Sequence, residues 1–165
     1  MKALSTLLLS AALSTPLLAA EVQVNDPYAR AVAPGQPNSA AFMQLENLGG
    51  QMLSLTGATS EVAQAVELHT HIQDQGVMRM RRINTIELPP HQRVSLQPGG
   101  LHIMLIGLTR TLSEGDEMAL TLTFSDGSEQ TFNMPVRPVM PMGAQKHGNN
   151  MGNNMGNMGQ GQQQN

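Results

Sequence analysis

The stretch "EMALTLTFSDGSEQTFNMPV", residues 117–136, decides the fold class of this chain. Apolar and polar residues alternate on both sides of Asp126-Gly127, which is the period of a β-strand with one buried face. Asp-Gly between two alternating runs is among the strongest short-range signals for a tight hairpin. The stretch therefore predicts two antiparallel strands joined by a short turn.

Further runs of the same kind lie upstream, separated by turns rich in Gly, Pro and Asn. They include "SAAFMQLEN" (39–47), "MLSLTGA" (52–58) and "GGLHIMLIGL" (99–108). "SEVAQAVEL" (60–68) is compatible with either a helix or a strand. About seven short strands within residues 21–138 predict an all-β domain, a Greek-key β-sandwich or barrel.

The two ends of the chain differ from this middle part. Residues 1–20 have an early charge at Lys2, a short apolar stretch and small residues at Ala19 and Ala20. This pattern predicts a signal peptide cleaved near Ala20, too short to span a membrane, and hence export to the periplasm. Residues 139–165 are mostly Gly, Asn, Gln and Met, which predicts a disordered tail because branched apolar side chains are scarce.

Composition excludes several classes of function. The chain has no cysteine, which rules out disulfides, thiol catalysis and blue-copper centres with a Cys ligand. The formal charge of −3 gives no basic footprint for nucleic acid or an anionic membrane. Thirteen methionines are an unusual number for a chain of 165 residues.

The run 99–108 places a histidine and a methionine on one face of a strand. Side chains alternate between the faces, so His102 and Met104 point together, and Leu101, Ile103 and Leu105 point to the core. A second His/Met set lies in "ELHTHIQDQGVMRMR" (67–81), which is typical of a hairpin. Two β elements therefore each offer imidazole and thioether groups.

The loop of this second hairpin decides whether its groups share a face. A three-residue loop would send the histidines and methionines to opposite faces, whereas a loop of two or four residues puts them together. The even loop gives three predicted pairs: Ile72 with Val77, His71 with Met78, and His69 with Met80. The sequence leaves both alternatives open.

Two imidazoles and two thioethers form a soft, uncharged ligand set that suits Cu(I). A site with Cu(I) would carry only one positive charge, which costs less to desolvate than a divalent ion. Thioethers also cannot form disulfides in an oxidising compartment. On the residues alone, copper binding competes with the ordinary interpretation of methionines as core residues and histidines as hydrogen-bonded ones.

The spacing of these residues is more specific than their types. Ten residues separate His69 from Met80, twenty-one separate Met80 from His102, and one separates His102 from Met104. This resembles the H-x10-M-x21-H-x-M pattern of the periplasmic copper chaperone family PCu(A)C. The segments "DPYARAVAPGQPNSAAFMQLEN", "VELHTH", "GVMRMR", "PGGLHIMLIGL" and "GDEMALTLTFSDGS" are also similar to that family, so the resemblance covers about residues 22–138.

The resemblance implies a cupredoxin-like β-sandwich or barrel that binds one Cu(I) near its surface through His69, Met80, His102 and Met104. His71 and Met78 would be auxiliary. Thr70 stands where some members have a methionine. The implied role is a carrier, not an enzyme, that gives copper to a protein acceptor such as the copper centre of cytochrome c oxidase.

Two other roles remain open: a copper-sequestering resistance protein with the same ligands, and a β-sandwich interaction module without metal. The tail is similar in type to copper-binding extensions of some family members, but it could equally be a solubilising segment. Its candidate ligands are His147, Met140, Met142, Met151, Met155 and Met158.

Overall fold

The computed structural model describes residues 21–138, which form ten β-strands and no helix. The strands are β1 (Val22–Arg30), β2 (Asn38–Asn47), β3 (Leu53–Thr59), β4 (Ala63–Asp74), β5 (Val77–Ile83), β6 (Ile86–Leu88), β7 (Arg93–Leu96), β8 (His102–Leu108), β9 (Glu117–Phe124) and β10 (Glu129–Arg137). The all-β prediction is confirmed, and most of the ambiguous segment 60–68 belongs to β4. The predicted signal peptide, 1–20, and tail, 139–165, lie outside the described residues. Within residues 21–138, no helix is long and apolar enough to cross a membrane.

The predicted hairpin at residues 117–136 is formed by β9 and β10. Their register runs from Thr123 opposite Glu129 to Glu117 opposite Pro135. The Asp126 carboxylate accepts hydrogen bonds from the backbone N–H and the hydroxyl of Ser128, at 2.9 and 2.7 Å. The turn residues therefore hold the loop by local hydrogen bonds, as Asp does in many tight turns.

The strands form one folded-over sheet with the order β5-β4-β8-β2-β1-β10-β9-β3-β6, and β7 pairs separately with β2. All pairings are antiparallel except that of β1 with β10. Strands β3 and β4 lie against each other without pairing, so the two halves of the sheet enclose a common core. This is the arrangement of a β-sandwich.

On the central strands β2 and β8, one face packs in the main core and the other face does not. Ile103 and Leu105 of β8 are fully buried in the main core, as predicted, and His102 and Met104 point the other way. On β2, Phe42 is also buried, yet it lies outside the main core cluster. The outer face of β2 and β8 is therefore also partly buried, apart from the main core. The candidate site lies on this face.

Among the described strands, β5 pairs only with β4 and so lies at an edge of the sheet. Six of its seven residues are exposed and none is buried. Charged side chains on such a strand discourage pairing with other chains, and β5 carries three arginines, Arg79, Arg81 and Arg82.

Candidate metal centre

The β4–β5 hairpin has a two-residue turn. Gln75 and Gly76 both have positive φ, 51° and 82°, which is the requirement of a type I′ turn. Opposite residues of the pair share a face, so the histidines of β4 and the methionines of β5 lie together. The interpretation with an even loop is confirmed.

The predicted pairs within that hairpin were wrong by two residues. His71 lies opposite Met80, Gln73 opposite Met78, and His69 opposite Arg82. The reason is that the strands continue to Asp74 and Val77, whereas the predicted pairs assumed a four-residue loop over 73–76. The shorter loop shifts the residue opposite Met80 by two positions along β4, from His69 to His71.

Strand β8 brings the second His/Met set beside the first. His102 lies opposite His69, and Met104 lies opposite Glu67. On its other side, Met104 lies opposite Ala40 of β2. The three strands β4, β8 and β2 therefore align their outward side chains in register around one point.

A cavity of about 140 Å³ opens at this point. It is lined by Arg30, Ala40, Phe42, His71, Met80, Gly99, His102 and Met104. Three of the four predicted ligands thus line one cavity. The imidazole lining it with them is that of His71, whereas His69 lies beside His102 with ring centroids 5.8 Å apart.

His102 is held in one tautomer. Its Nδ1 lies 3.0 Å from the carbonyl oxygen of Gly100, which only accepts, so Nδ1 carries the proton and donates it. The side chain is 3 % exposed, and this burial lowers its pKa from the ordinary value of 6.5 although the bond to Gly100 acts in the opposite direction. The imidazole is therefore neutral at pH 7, and its Nε2 keeps a free lone pair.

His69 is held in the opposite tautomer. Its Nε2 lies 2.9 Å from the carboxylate of Glu67, and because a carboxylate accepts, Nε2 carries the proton. That hydrogen bond, together with Arg82 at 3.1 Å, holds the pKa of Glu67 below its ordinary value. The Nδ1 of His69 is buried and has no hydrogen-bond partner within residues 21–138. A buried nitrogen with a free lone pair is a donor atom prepared for a ligand.

The ring of His102 packs against neighbouring rings on the same face of the sheet. The His102 ring centroid is 5.2 Å from that of His71 and 6.3 Å from that of Phe42. Phe42 in turn lies 5.3 Å from Tyr28 on β1. These contacts pack the His102 ring against its neighbours, and both His102 and Phe42 are buried.

The methionines differ in exposure. Met80 is 45 % exposed and forms the open side of the cavity, whereas Met78 is 55 % exposed and does not line it. In residues 21–138, no group of three or more His, Cys, Asp or Glu side chains is placed to hold a metal ion. A metal at this place would therefore need the methionine sulfurs in addition to the imidazoles.

The supporting residues Glu67, Phe42, Arg30 and Gly100 were not predicted from the sequence. For Glu67 and Phe42, a signal is present. Glu67 is two residues before His69 and so shares its face, and "AAFM" in β2 is a continuous apolar run, typical of a strand buried on both faces. Nothing in the sequence singles out Arg30 or the Gly100 carbonyl.

The fold and the site define a class: a small all-β domain with imidazole and thioether donors around a half-open cavity. Residues 22–136 match the LpqE-like family, whose description names a lipoprotein. The chain belongs to this family. A protein of Leifsonia xyli subsp. xyli that is named as a lipoprotein, Lxx21020, is 35 % identical over 117 residues, which are 70 % of this chain and 69 % of that protein.

Solved structures of PCuAC domains have the same fold. The copper-bound PCuAC domain from PmoF2 is 25 % identical, with a TM-score of 0.62, and the match covers 72 % of this chain and 94 % of that domain. The Cu(I) form of DR1885 from Deinococcus radiodurans is 32 % identical, with a TM-score of 0.53, over 76 % of this chain and 81 % of that one. The predicted resemblance to PCu(A)C and the predicted cupredoxin-like fold are both confirmed.

Proposed function

We propose that this protein is a copper carrier that binds one Cu(I) through His69, Met80, His102 and Met104. The observation that carries the proposal is the pair of fixed tautomers described above. Each imidazole gives one N–H to a protein oxygen and leaves its other nitrogen free, on the sheet face that also presents two thioethers. A metal-binding histidine is commonly oriented in this way by a carboxylate or a carbonyl.

The donor set favours Cu(I) over harder ions. Imidazole nitrogen and thioether sulfur are neutral and soft, and the set contains no carboxylate that would attract Ca²⁺ or Mg²⁺. Burial of His102 and Phe42 keeps water from one side, while the exposed Met80 leaves the other side open. Such a site suits a carrier because the ligands of an acceptor can approach the metal directly.

The cellular role follows from the same argument together with the relatives. Two solved PCuAC-type structures hold copper, and a curated relative is named as a lipoprotein, which fits an exported protein. With the predicted signal peptide, these findings support a periplasmic protein, not an enzyme, that gives Cu(I) to a protein acceptor such as the copper centre of cytochrome c oxidase. His71, which lines the cavity, is proposed as an auxiliary residue, whereas Met78 does not line the cavity and is not included.

The test of the site is a Cu(I) titration against a chromophoric chelator under reducing conditions. We expect one Cu(I) per chain, and a loss of affinity of more than about 100-fold for Met80→Ala and for Met104→Ala, because loss of an outer partner of a ligand alone costs 10- to 100-fold. Met78→Ala is the matched control: a neighbouring exposed methionine on the same strand that does not line the cavity. If Met78→Ala weakens binding as much as Met80→Ala, the assigned ligand set is wrong.

Transfer separates a carrier from a sequestering protein. The copper-loaded chain is mixed with a metal-free soluble copper domain of cytochrome c oxidase, the two proteins are separated, and the copper content of each is measured. We expect rapid transfer from the carrier. Retention of copper against an acceptor of higher affinity would favour sequestration.

A further inference from the structure

A positively charged side chain lines the candidate copper site. It belongs to Arg30, the last residue of β1. Its neighbour Ala29 is fully buried in the main core, so alternation along the strand directs Arg30 to the opposite face, where His102 and Met104 lie. The Ser39 hydroxyl donates a hydrogen bond of 2.6 Å to the Arg30 carbonyl and holds this end of β1 against β2. The guanidinium group is therefore carried by well-anchored backbone on the face of the site.

Within residues 21–138, no carboxylate forms an ion pair with Arg30. Most arginines of this part of the chain do have such a partner: Arg79, Arg82, Arg93, Arg110 and Arg137. Arg81 has none either, but it is exposed on β5, where water and salt screen its charge. Arg30 is half-buried beside the buried rings of Phe42 and His102. Its charge is therefore screened less and acts on the cavity.

This charge is unfavourable for any cation in the cavity. Burial is the main cause that lowers the pKa of His102, and the charge of Arg30 acts in the same direction, so its field reaches a candidate ligand. The proposed ligands are neutral, and the carboxylate of Glu67 is itself paired with Arg82 at 3.1 Å. Coulomb repulsion is proportional to the charge of the ion, so it is twice as large for Cu(II) as for Cu(I). The same side chain thus weakens the binding of both ions, and that of Cu(II) more.

We propose that Arg30 makes the site discriminate by charge between the two oxidation states of copper, at the expense of some affinity for Cu(I). The inference rests on the proposed function, since it needs copper at the site. Thioether ligands favour Cu(I) because they are soft, and Arg30 adds an independent preference that does not depend on any copper–ligand bond. The ratio of the two affinities sets the reduction potential of the bound ion, and a tenfold change in that ratio corresponds to 59 mV for one electron.

Two neutral variants of the full chain, Arg30→Gln and Arg30→Leu, remove the charge with side chains of different polarity. Arg30→Lys keeps the charge, and Arg81→Gln is the matched control that removes an exposed arginine outside the cavity wall. For both neutral variants we expect Cu(I) to bind about threefold and Cu(II) about tenfold more tightly, because the repulsion of a divalent ion is doubled. The reduction potential of the copper-loaded chain then falls by about 30 mV. The lysine variant and the control are expected to stay close to the unchanged chain.

The measurements are a redox titration of the chain loaded with one equivalent of copper and a Cu(I) titration against a chromophoric chelator. Equal potentials of the neutral variants and the unchanged chain overturn the inference. An equal fall in Arg81→Gln overturns it too, because the effect would then come from the overall charge of the protein. Weaker Cu(I) binding by both neutral variants would mean that Arg30 supports the site and does not repel the ion. If the unchanged chain binds no Cu(I), the proposed function itself fails, and this is a distinct result.

Discussion

The Nε2 of His69 donates a hydrogen bond of 2.9 Å to the carboxylate of Glu67, two residues earlier on the same strand face. The bond fixes the proton on Nε2 and leaves the buried Nδ1 free. Arg82, directly opposite His69 on β5, holds the other oxygen of that carboxylate at 3.1 Å. The orientation of one candidate ligand thus depends on two charged residues outside the predicted motif.

Replacing Glu67 by Gln tests this dependence. The amide keeps the size of the side chain but offers a weaker acceptor, so the tautomer of His69 is no longer fixed. We expect Cu(I) affinity to fall by roughly 10- to 100-fold, as for other partners of metal-binding histidines, with little change in the melting temperature. The control is Glu46→Gln, which removes an exposed ion pair with Arg93 on β7. Equal affinity of E67Q and E46Q would show that Glu67 does not orient a ligand.

The hairpin register predicts the effect of exchanging two neighbours on β5. R79M/M80R keeps the composition but moves the thioether to the opposite face, where residue 79 faces Ile72. Because no residue of β5 is buried, the fold should persist while Cu(I) affinity is lost. V77M/M78V makes the same kind of exchange two residues away and should leave affinity unchanged. Circular dichroism and the chelator titration report the two properties, and copper binding by R79M/M80R at full strength would contradict the register.

Phe42 is expected to support both the fold and the site. It is 4 % exposed beneath His102, so truncation leaves a cavity. Phe42→Ala should lower the free energy of unfolding by about 3 kcal/mol, the lower end of the usual range for Phe→Ala because the site is partly open. Phe42→Leu should cost less. Urea unfolding of the copper-free protein measures both, and a change below about 1 kcal/mol for the alanine variant would mean that the ring is not packed as described.

The turn between β9 and β10 predicts a pH dependence of stability. The Ser128 hydroxyl and then its backbone N–H lower the pKa of Asp126 from its ordinary 3.8, so the ionised carboxylate stabilises the folded state. This stabilisation is complete above pH 3.8 and disappears as the pH falls through the lower folded value.

Ser128→Ala removes the larger of these two contributions. The variant should be less stable than the unchanged chain at neutral pH, and the difference should close as both proteins are acidified well below pH 3.8. Ser113→Ala is the control, because the contact of residue 113 with Asp116 uses the backbone N–H and survives the substitution. A difference for S128A that stays constant down to pH 2 would exclude the carboxylate as its cause.

The alternation of β8 was predictable because one of its faces is buried. A slip of one residue would send Ile103 and Leu105 to the outside and His102 into the core, so the apolar pattern fixes the register. In contrast, the spacing of Val62, Val66 and Leu68 among the small residues of 60–68 fits either a helix or a strand. Their conformation is set by pairing with β8, a contact far away in sequence.

The hairpin that carries Met80 was predictable only in part. Its turn uses Gln75 at positive φ, where Asn or Asp would have given a clear signal for a two-residue loop. The sequence therefore left the loop length open, and with it the identity of the β5 residue opposite each histidine. The orientations of His69 and His102 depend on Glu67 and on the carbonyl of Gly100, and the spacing of the motif contains no information on either.

The position of β5 at the edge of the sheet divides the candidate ligands into two kinds. His102 and Met104 are on a strand with a partner on each side, whereas Met80 is on a strand that is hydrogen-bonded along one side only. Fraying begins where the fewest contacts must break, so the hairpin tip opens at a lower free energy than the centre of the sheet. When it opens, Met80 moves away while His102 and Met104 stay in place. In a copper carrier of the kind proposed above, such local unfolding would allow the ion to be released in steps without unfolding of the domain.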